Sequence, residues 1–269
     1  MTASPLRVLA VFALPCLVLL GLPTVAVCGE PSKAAQELLK KDPMDILTAC
    51  LARSQKLDQF TQTFTKRERV GGELQKTETM FLKYRAEPFS LYMKWTEEPN
   101  KGREVIYVEG KNKGKAVLHE YVGPLNVFIK LDPDSAEAKK RSRRTIKQAG
   151  IRNATKSLFD MSEKARKRGD MRIKVMGVEK VNDREVVVLC RLLERRDDYD
   201  VYMTMIYIDT EYMLPVKVAG YDWDQLLGWV YISGNIKTDV KLSDKDFDPT
   251  NPEYDYPGLV GLAWPFGKK

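Results

Sequence analysis

Phe89-Ser90-Leu91-Tyr92-Met93-Lys94-Trp95 places Phe89, Leu91, Met93 and Trp95 on one face of an extended chain and Ser90, Tyr92 and Lys94 on the other. Successive side chains of a strand point to opposite sides, so this alternation marks a strand with one buried face. The same period extends in both directions. Phe60, Gln62 and Phe64 alternate with Thr61, Thr63 and Thr65; Gly71-Gly72 then supplies a turn that tolerates positive φ, and Met80, Leu82 and Tyr84 form the returning strand. Short strands follow at 104–109, 115–121 and 126–131, the first two joined by Gly110-Lys111-Asn112-Lys113-Gly114. Later strands are expected over 171–178, 185–193, 199–209, 213–221 and 227–240. Within 199–209, Met203 and Met205 alternate with Thr204 and Ile206, so both faces are largely apolar, as for a strand covered on both sides.

Helical spacing interrupts this pattern twice. Asp42-Pro43 is an N-cap followed by proline at the first helical position, and Ile46, Leu47, Cys50 and Leu51 form the stripe behind it. The preceding Glu30 to Lys41 is a more polar helical stretch. Asp132-Pro133-Asp134 breaks the strands, and Ile151, Ala154, Leu158, Met161 and Ala165 then recur at helical spacing until Gly169 ends the segment. The whole reads as a mainly β, α+β chain built on an antiparallel meander.

Met1 to Gly29 carries one charge, Arg7, followed by an uncharged apolar run, and the chain turns polar at Glu30. Residues 1–28 therefore read as an export signal. The run is long enough to cross a bilayer, which leaves an uncleaved anchor as an alternative. Pro15 interrupts that helix, and Thr24-Val25-Ala26 and Ala26-Val27-Cys28 have signal-peptidase spacing, so cleavage is favoured. A lipid-modified Cys28 is the third reading, disfavoured because Val27, not a small residue, precedes it. Residues 29–256 then form one domain large enough for a substantial core, and 257–269 a loosely ordered tail. Export to the periplasm or cell envelope argues against nucleotide-driven chemistry.

The chain has 44 Lys and Arg against 37 Asp and Glu, a net charge of +7, and the signal removes only Arg7 from that balance. Such a surface suits anionic partners. Lys139, Lys140, Arg141, Arg143, Arg144 and Lys147 form the densest cluster, continuing with Lys164, Arg166, Lys167 and Arg168. Beside an amphipathic helix, that cluster points to an anionic membrane surface or an acidic envelope partner. No aromatic residue lies between Lys139 and Lys156, and nucleic acid is not expected. Outside the signal, Cys50 and Cys190 are the remaining thiols; both fall in apolar elements, which favours free core cysteines over a disulfide.

Residues that carry chemistry are few. His119 is the single histidine, with Val117 and Tyr121 on its face of a strand, and no nucleophile motif accompanies it. Gly110 to Lys115 has three residues between its glycines, lacks a following Ser or Thr and joins two strands, unlike a phosphate loop. Asp244, Asp246 and Asp248 have calcium-loop spacing, but Pro249 stands where glycine is needed; Ser243 instead caps a short turn whose Phe247 plugs the sheet. Asp197, Asp198 and Asp200 sit beside Arg195 and Arg196 as turn charges. No catalytic residue, metal or cofactor is expected.

An N-terminal helix followed by Leu57-Asp58-Gln59-Phe60-Thr61-Gln62-Thr63-Phe64 resembles the start of the periplasmic lipoprotein carriers and receptors, the LolA/LolB-like superfamily. Lys83-Tyr84-Arg85-Ala86-Glu87-Pro88-Phe89, Gly102 to Lys111 and Met213-Leu214-Pro215-Val216-Lys217 strengthen the likeness. With Asp246-Phe247-Asp248-Pro249 and Asn251-Pro252-Glu253-Tyr254, the chain more narrowly resembles the exported bacterial domain of unknown function 1571 over roughly 43–256. The superfamily resemblance implies an incomplete antiparallel β-barrel with helices covering its concave side and an apolar cavity for acyl chains. On that basis Met80, Leu82, Phe89, Leu91, Met93, Trp95, Met203 and Met205 are candidate wall residues for a lipid, lipoprotein acyl chain or other apolar ligand. The competing reading is a packed, cavity-free envelope module that binds an acidic partner through Lys139 to Lys147. An enzyme acting on envelope polymer is a third, without a constellation to carry it.

Overall fold

The computed structural model describes residues 30–122 and 125–256; the expected signal at 1–28 and the tail at 257–269 lie outside the described residues. Two helices open the chain, α1 (Lys33–Leu38) and α2 (Pro43–Ser54), and Asp42 caps α2 by accepting the Met44 N–H at 2.8 Å. Seven strands follow: β1 (Gln59–Val70), β2 (Glu73–Leu74), β3 (Glu78–Arg85), β4 (Ser90–Trp95), β5 (Glu104–Val108), β6 (Ala116–Val122) and β7 (Leu125–Leu131). Helices α3 (Ala136–Arg141) and α4 (Ile151–Arg168) lead into β8 (Met171–Val181), β9 (Arg184–Leu193), β10 (Met203–Asp209), β11 (Pro215–Tyr221) and β12 (Leu227–Lys237). Among the described residues no helix is long and apolar enough to cross a membrane.

All the strands join one antiparallel sheet in the order β7-β6-β5-β4-β3-β1-β12-β11-β10-β9-β8, with β2 folded back on the end of β1. The sheet does not close on itself. Each half is a meander of chain neighbours, and the β1–β12 pairing, with Phe64 opposite Ser233 and Glu68 opposite Trp229, is the seam between them. The architecture is the expected open half-barrel.

Helices cover one face. Leu38, Ile46, Leu47 and Cys50 from α1 and α2, and Leu158 from α4, pack on Val187, Leu189, Ile206 and Ile208. That contact identifies which alternate residues of β9 and β10 point inward. Both cysteines among the described residues are free, Cys50 buried and Cys190 half-buried. Gly169 ends α4 in the left-handed conformation, as its sequence position predicts. Two features differ from the sequence reading. Ser135 caps the six-residue α3 inside the basic segment, which reads only as polar in sequence. And β10 begins at Met203, not at residue 199: Tyr199 closes a turn, its N–H donating to the Arg196 carbonyl at 3.2 Å and its hydroxyl to the Asp170 carboxylate at 3.0 Å.

The opposite face of the first half is covered by the C-terminal segment. Phe247 and Tyr254 bury themselves against Tyr92, Ile106 and Val108, and the short turn at 244–247 anchors through Asp244–Arg85 and Asp246–Lys83 pairs, each at 2.8 Å. Beneath it Glu104, fully buried, accepts the Tyr92 hydroxyl at 2.7 Å and the Asp255 N–H at 2.9 Å, with Lys94 at 3.3 Å. His119 Nδ1 approaches the same carboxylate at 3.3 Å without aligned hydrogen-bond geometry. Burial alone pushes the Glu104 carboxyl up, but His119, Tyr92, the Asp255 N–H and Lys94 together outweigh it and hold the group below the usual glutamate range.

Two stability predictions follow from this packing. Gly150, at φ +88°, precedes α4, and a Cβ there would meet Tyr84 Cδ2 at 2.7 Å. Gly150→Ala combines backbone strain with overpacking and should lower stability by at least about 2 kcal/mol in urea unfolding. For Glu104, a depressed folded-state pKa gives stability that is present above the unfolded value of about 4.3 and is lost as pH falls through the folded value. Glu104→Gln should therefore cost about 1–3 kcal/mol at neutral pH and show a shallower acid-side loss than the wild type.

Candidate functional site

Side chains from the inward face fall into rows set by strand register. The first row, Phe60-Tyr84-Leu91-Tyr107, is packed solid. Phe60 stacks on Tyr84 at 4.6 Å between ring centroids, and Phe89 tilts against Tyr84 at 5.6 Å and Tyr107 at 5.7 Å. Gly150 and Ile151 close this end from above. Along the next rows the aromatic fill stops, and a cavity of about 420 Å³ opens between the sheet and the 132–161 segment. Its sheet wall includes Phe64, Met80, Met93, Trp95 and Leu118; its cover includes Pro133, Ile146, Ala149, Ala154 and Met161.

Of the wall residues named from sequence, Met80, Met93 and Trp95 line this cavity. Leu82 and Leu91 share their face but are fully buried in the core, and Phe89 belongs to the aromatic plug. Met203 and Met205 lie on the other side of the sheet. Their chain neighbours Thr204 and Ile206 face inward beside Arg191 and Leu189, whereas Met205 stands in register with Cys190 and Ala219 on the alternate face. Both faces of that strand are apolar, so periodicity gave no means of choosing the inward one.

The basic segment is tied into the fold. Arg144 pairs with Asp200 at 3.1 Å and Arg143 reaches the same carboxylate at 3.5 Å; Lys147 pairs with Asp134 at 2.7 Å, and Lys140 with Glu137 at 3.7 Å. Lys139 and Arg144 line the cavity. Arg141 lies in α3. Asp197 and Asp198 stay on the surface turn, where Lys164 and Arg168 hold the Asp198 carboxyl down to about 2.

Two polar clusters complete the lining. At the seam, Glu68 is 3% exposed; Lys66 lies at 3.2 Å, the Ser142 hydroxyl donates at 2.9 Å and the Tyr231 hydroxyl also donates. Burial raises its pKa, but Lys66 and these hydroxyls prevail, and the carboxyl stays ionised with a lowered pKa. Across the sheet Arg191, 3% exposed, donates to Ser162 Oγ at 2.9 Å, Thr204 Oγ1 at 2.9 Å and the Leu158 carbonyl at 3.4 Å. Burial brings its pKa down to about 10, which leaves the guanidinium charged at neutral pH. Sequence reading missed Arg191; the available signal was one cation inside the apolar run Val186-Val187-Val188-Leu189-Cys190-Arg191-Leu192-Leu193. Among the described residues no group of three or more His, Cys, Asp or Glu could hold a metal ion.

No curated protein matches the sequence. Among solved structures, the Mycobacterium tuberculosis lipoprotein LppX is similar, with a TM-score of 0.46 and 11% identity over 76% of this chain and 100% of that one. The Pseudomonas aeruginosa MucA/MucB complex includes a chain with a TM-score of 0.43 and 15% identity, covering 76% of this chain and 60% of that one. A LolA superfamily protein from Nitrosomonas europaea has a TM-score of 0.32 and 12% identity over 76% and 96% of the two chains. Scores this low bear on neither ligand nor activity. The sequence itself is decisive for family: matched over residues 57–256, this chain belongs to the family described as Protein of unknown function (DUF1571).

Proposed function

We propose that this is an exported, non-enzymatic binding protein of the periplasm or cell envelope, holding a lipid, a lipoprotein acyl chain or another apolar ligand in its half-barrel. The observation that carries the reading is the cavity of about 420 Å³ beneath the 132–161 segment, within the range of about 300–1,000 Å³ typical of small-ligand sites. Its walls combine rigid aromatic surface, Phe64 and Trp95, with Met80, Met93 and Met161, whose unbranched side chains adapt to variable chains. A core evolved only for stability would fill such a space, since interiors pack to crystal-like density.

The alternative reading, capture of an acidic partner by the basic segment, draws less support. Arg143, Arg144 and Lys147 already have carboxylate partners, and engaging another anion would require breaking those pairs.

The test is uptake of the neutral fluorophore N-phenyl-1-naphthylamine by the purified full-length chain. Saturable binding is expected, with Ala154→Trp, which places an indole on the exposed cavity edge of α4, weakening it at least about tenfold while leaving the unfolding midpoint near that of the wild type. Absence of saturable uptake, or undiminished uptake by Ala154→Trp, would sink the reading.

A further inference from the structure

Inward-facing residues of the second half form a lateral row, Arg191-Thr204-Gly220-Trp229-Glu68, each opposite the next on adjacent strands from β9 to β1. Gly220 is required within it. A Cβ at that position would fall 2.5 Å from Trp229 Cε2 and 2.8 Å from its Nε1, so the indole lies across Gly220 with its N–H edge above that strand. Trp229 is 5% exposed, and its N–H has no acceptor among the described residues. One strand further lies Thr204, bonded to Arg191, whose own Nε–H also has no acceptor. Trp229 and Arg191 both line the cavity.

The row therefore presents two buried N–H donors without acceptors, one of them on a charged group. Every acceptor that Arg191 does have is neutral: two hydroxyls and a carbonyl. Asp200, which also lines the cavity, is engaged by Arg143 and Arg144. At the far end of the row, Glu68 is held by Lys66, Ser142 and Tyr231. Asp200 acts on Arg191 through space without accepting a hydrogen bond from it; orphaned buried donors are rare, and a buried charge whose hydrogen-bond partners are all neutral is costly, so the deficit is one of negatively charged acceptor atoms in contact.

We infer that the ligand of this cavity is an acyl chain ending in an oxyanion, a carboxylate or a phosphate monoester, whose oxygens accept from Arg191 and from the Trp229 indole N–H. Both heads supply what the row lacks, at least two acceptor oxygens and a negative charge. The chain then runs over Met80, Met93 and Trp95. Arg144, 5.8 Å over the Trp229 ring, adds positive potential on the same side. The inference rests on the apolar-ligand reading and adds to it a charged end and a polarity of insertion.

The experiment displaces N-phenyl-1-naphthylamine from the full-length chain with hexadecanoate, hexadecyl phosphate, hexadecanol and methyl hexadecanoate, with acetate and inorganic phosphate as controls that carry the head without the chain. A hydrogen bond to a charged group contributes enough that at least one anionic amphiphile should bind about tenfold or more tightly than hexadecanol. The stronger of the two identifies the head. Arg191→Met should abolish that preference while leaving hexadecanol displacement unchanged. Because Arg191 also joins α4 to the sheet, Trp229→Phe serves as the independent variant: it keeps an aromatic ring there but removes the N–H together with part of the indole, so the readout is the anion-over-hexadecanol ratio, in which lost packing cancels and which should fall about threefold or more. Equal displacement by hexadecanoate, hexadecyl phosphate and hexadecanol overturns the inference and leaves the apolar-ligand reading standing. Displacement by acetate or inorganic phosphate as strong as by the long-chain anions also overturns it, in favour of a small-anion site. Failure of the fluorophore itself to bind removes both.

Discussion

Strands β7 and β8 are consecutive in the chain yet occupy opposite edges of the sheet, and the link between them must cross the whole molecule. Eleven strands lie on the path from one edge to the other, which at about 4.8 Å per strand is an arc of roughly 48 Å. A curved sheet offers a shorter chord across its concave side than around its convex one. The link takes the chord, and α4, with 18 residues at about 1.5 Å each, supplies some 27 Å of it as a stiff rod. Cover, cavity and helix packing all descend from that crossing.

A rod over a curved surface leaves a gap, and the sequence treats the gap differently along its length. At one end the rings of Phe60, Tyr84, Phe89 and Tyr107 fill it, and glycine at position 150 lets the link come down onto Tyr84. On the second half α1 and α2 fill it with Leu38, Ile46 and Leu47. Between these supports Met80, Met93, Trp95 and Met161 border the cavity, with polar groups such as Glu68 and Arg191 completing its lining. The basic residues of the crossing serve the same geometry: Arg143 and Arg144 reach Asp200, in the loop ahead of β10, and Lys147 reaches back to Asp134, so the cover is fixed by charge where it lacks apolar contact. Exposed pairs of this kind contribute modestly each, and several together along one segment are what hold it.

Much of this was legible in the residues. Alternation located the strands, and Asp42, Pro43 and Gly169 marked helix ends, because strand period and capping are local properties of backbone geometry. Met80, Met93 and Trp95 border the cavity, and their shared face was readable because the alternate positions of β3 and β4, Lys83, Arg85, Ser90 and Lys94 among them, are mostly polar. Met203 and Met205 stand on β10, which is apolar on both faces, so only the register with β9 and β11 tells its two faces apart. Nor could the pattern tell Leu82 and Leu91, which are packed, from neighbours on the same face that border empty space, since that depends on where the aromatic plug ends. The cations of 139–147 read as a free surface because Asp200, which holds Arg143 and Arg144, is distant in sequence.

Arg191 was the least legible residue and is the one whose placement is hardest to account for by stability alone. Its contacts with Ser162, Thr204 and the Leu158 carbonyl join α4 to the sheet, and a neutral polar side chain could make such contacts without desolvating a charge. A well-packed apolar residue in place of a buried ion is commonly neutral or stabilising. The guanidinium is instead retained beside an open apolar cavity, with Trp229 turned so that a second N–H lacks an acceptor on the same row. An apolar stretch formed by Met80, Met93 and Trp95 beside a buried guanidinium whose hydrogen-bond acceptors are all neutral is an asymmetric environment, suited to a molecule that is itself asymmetric, and that combination separates this site from a void left by imperfect packing.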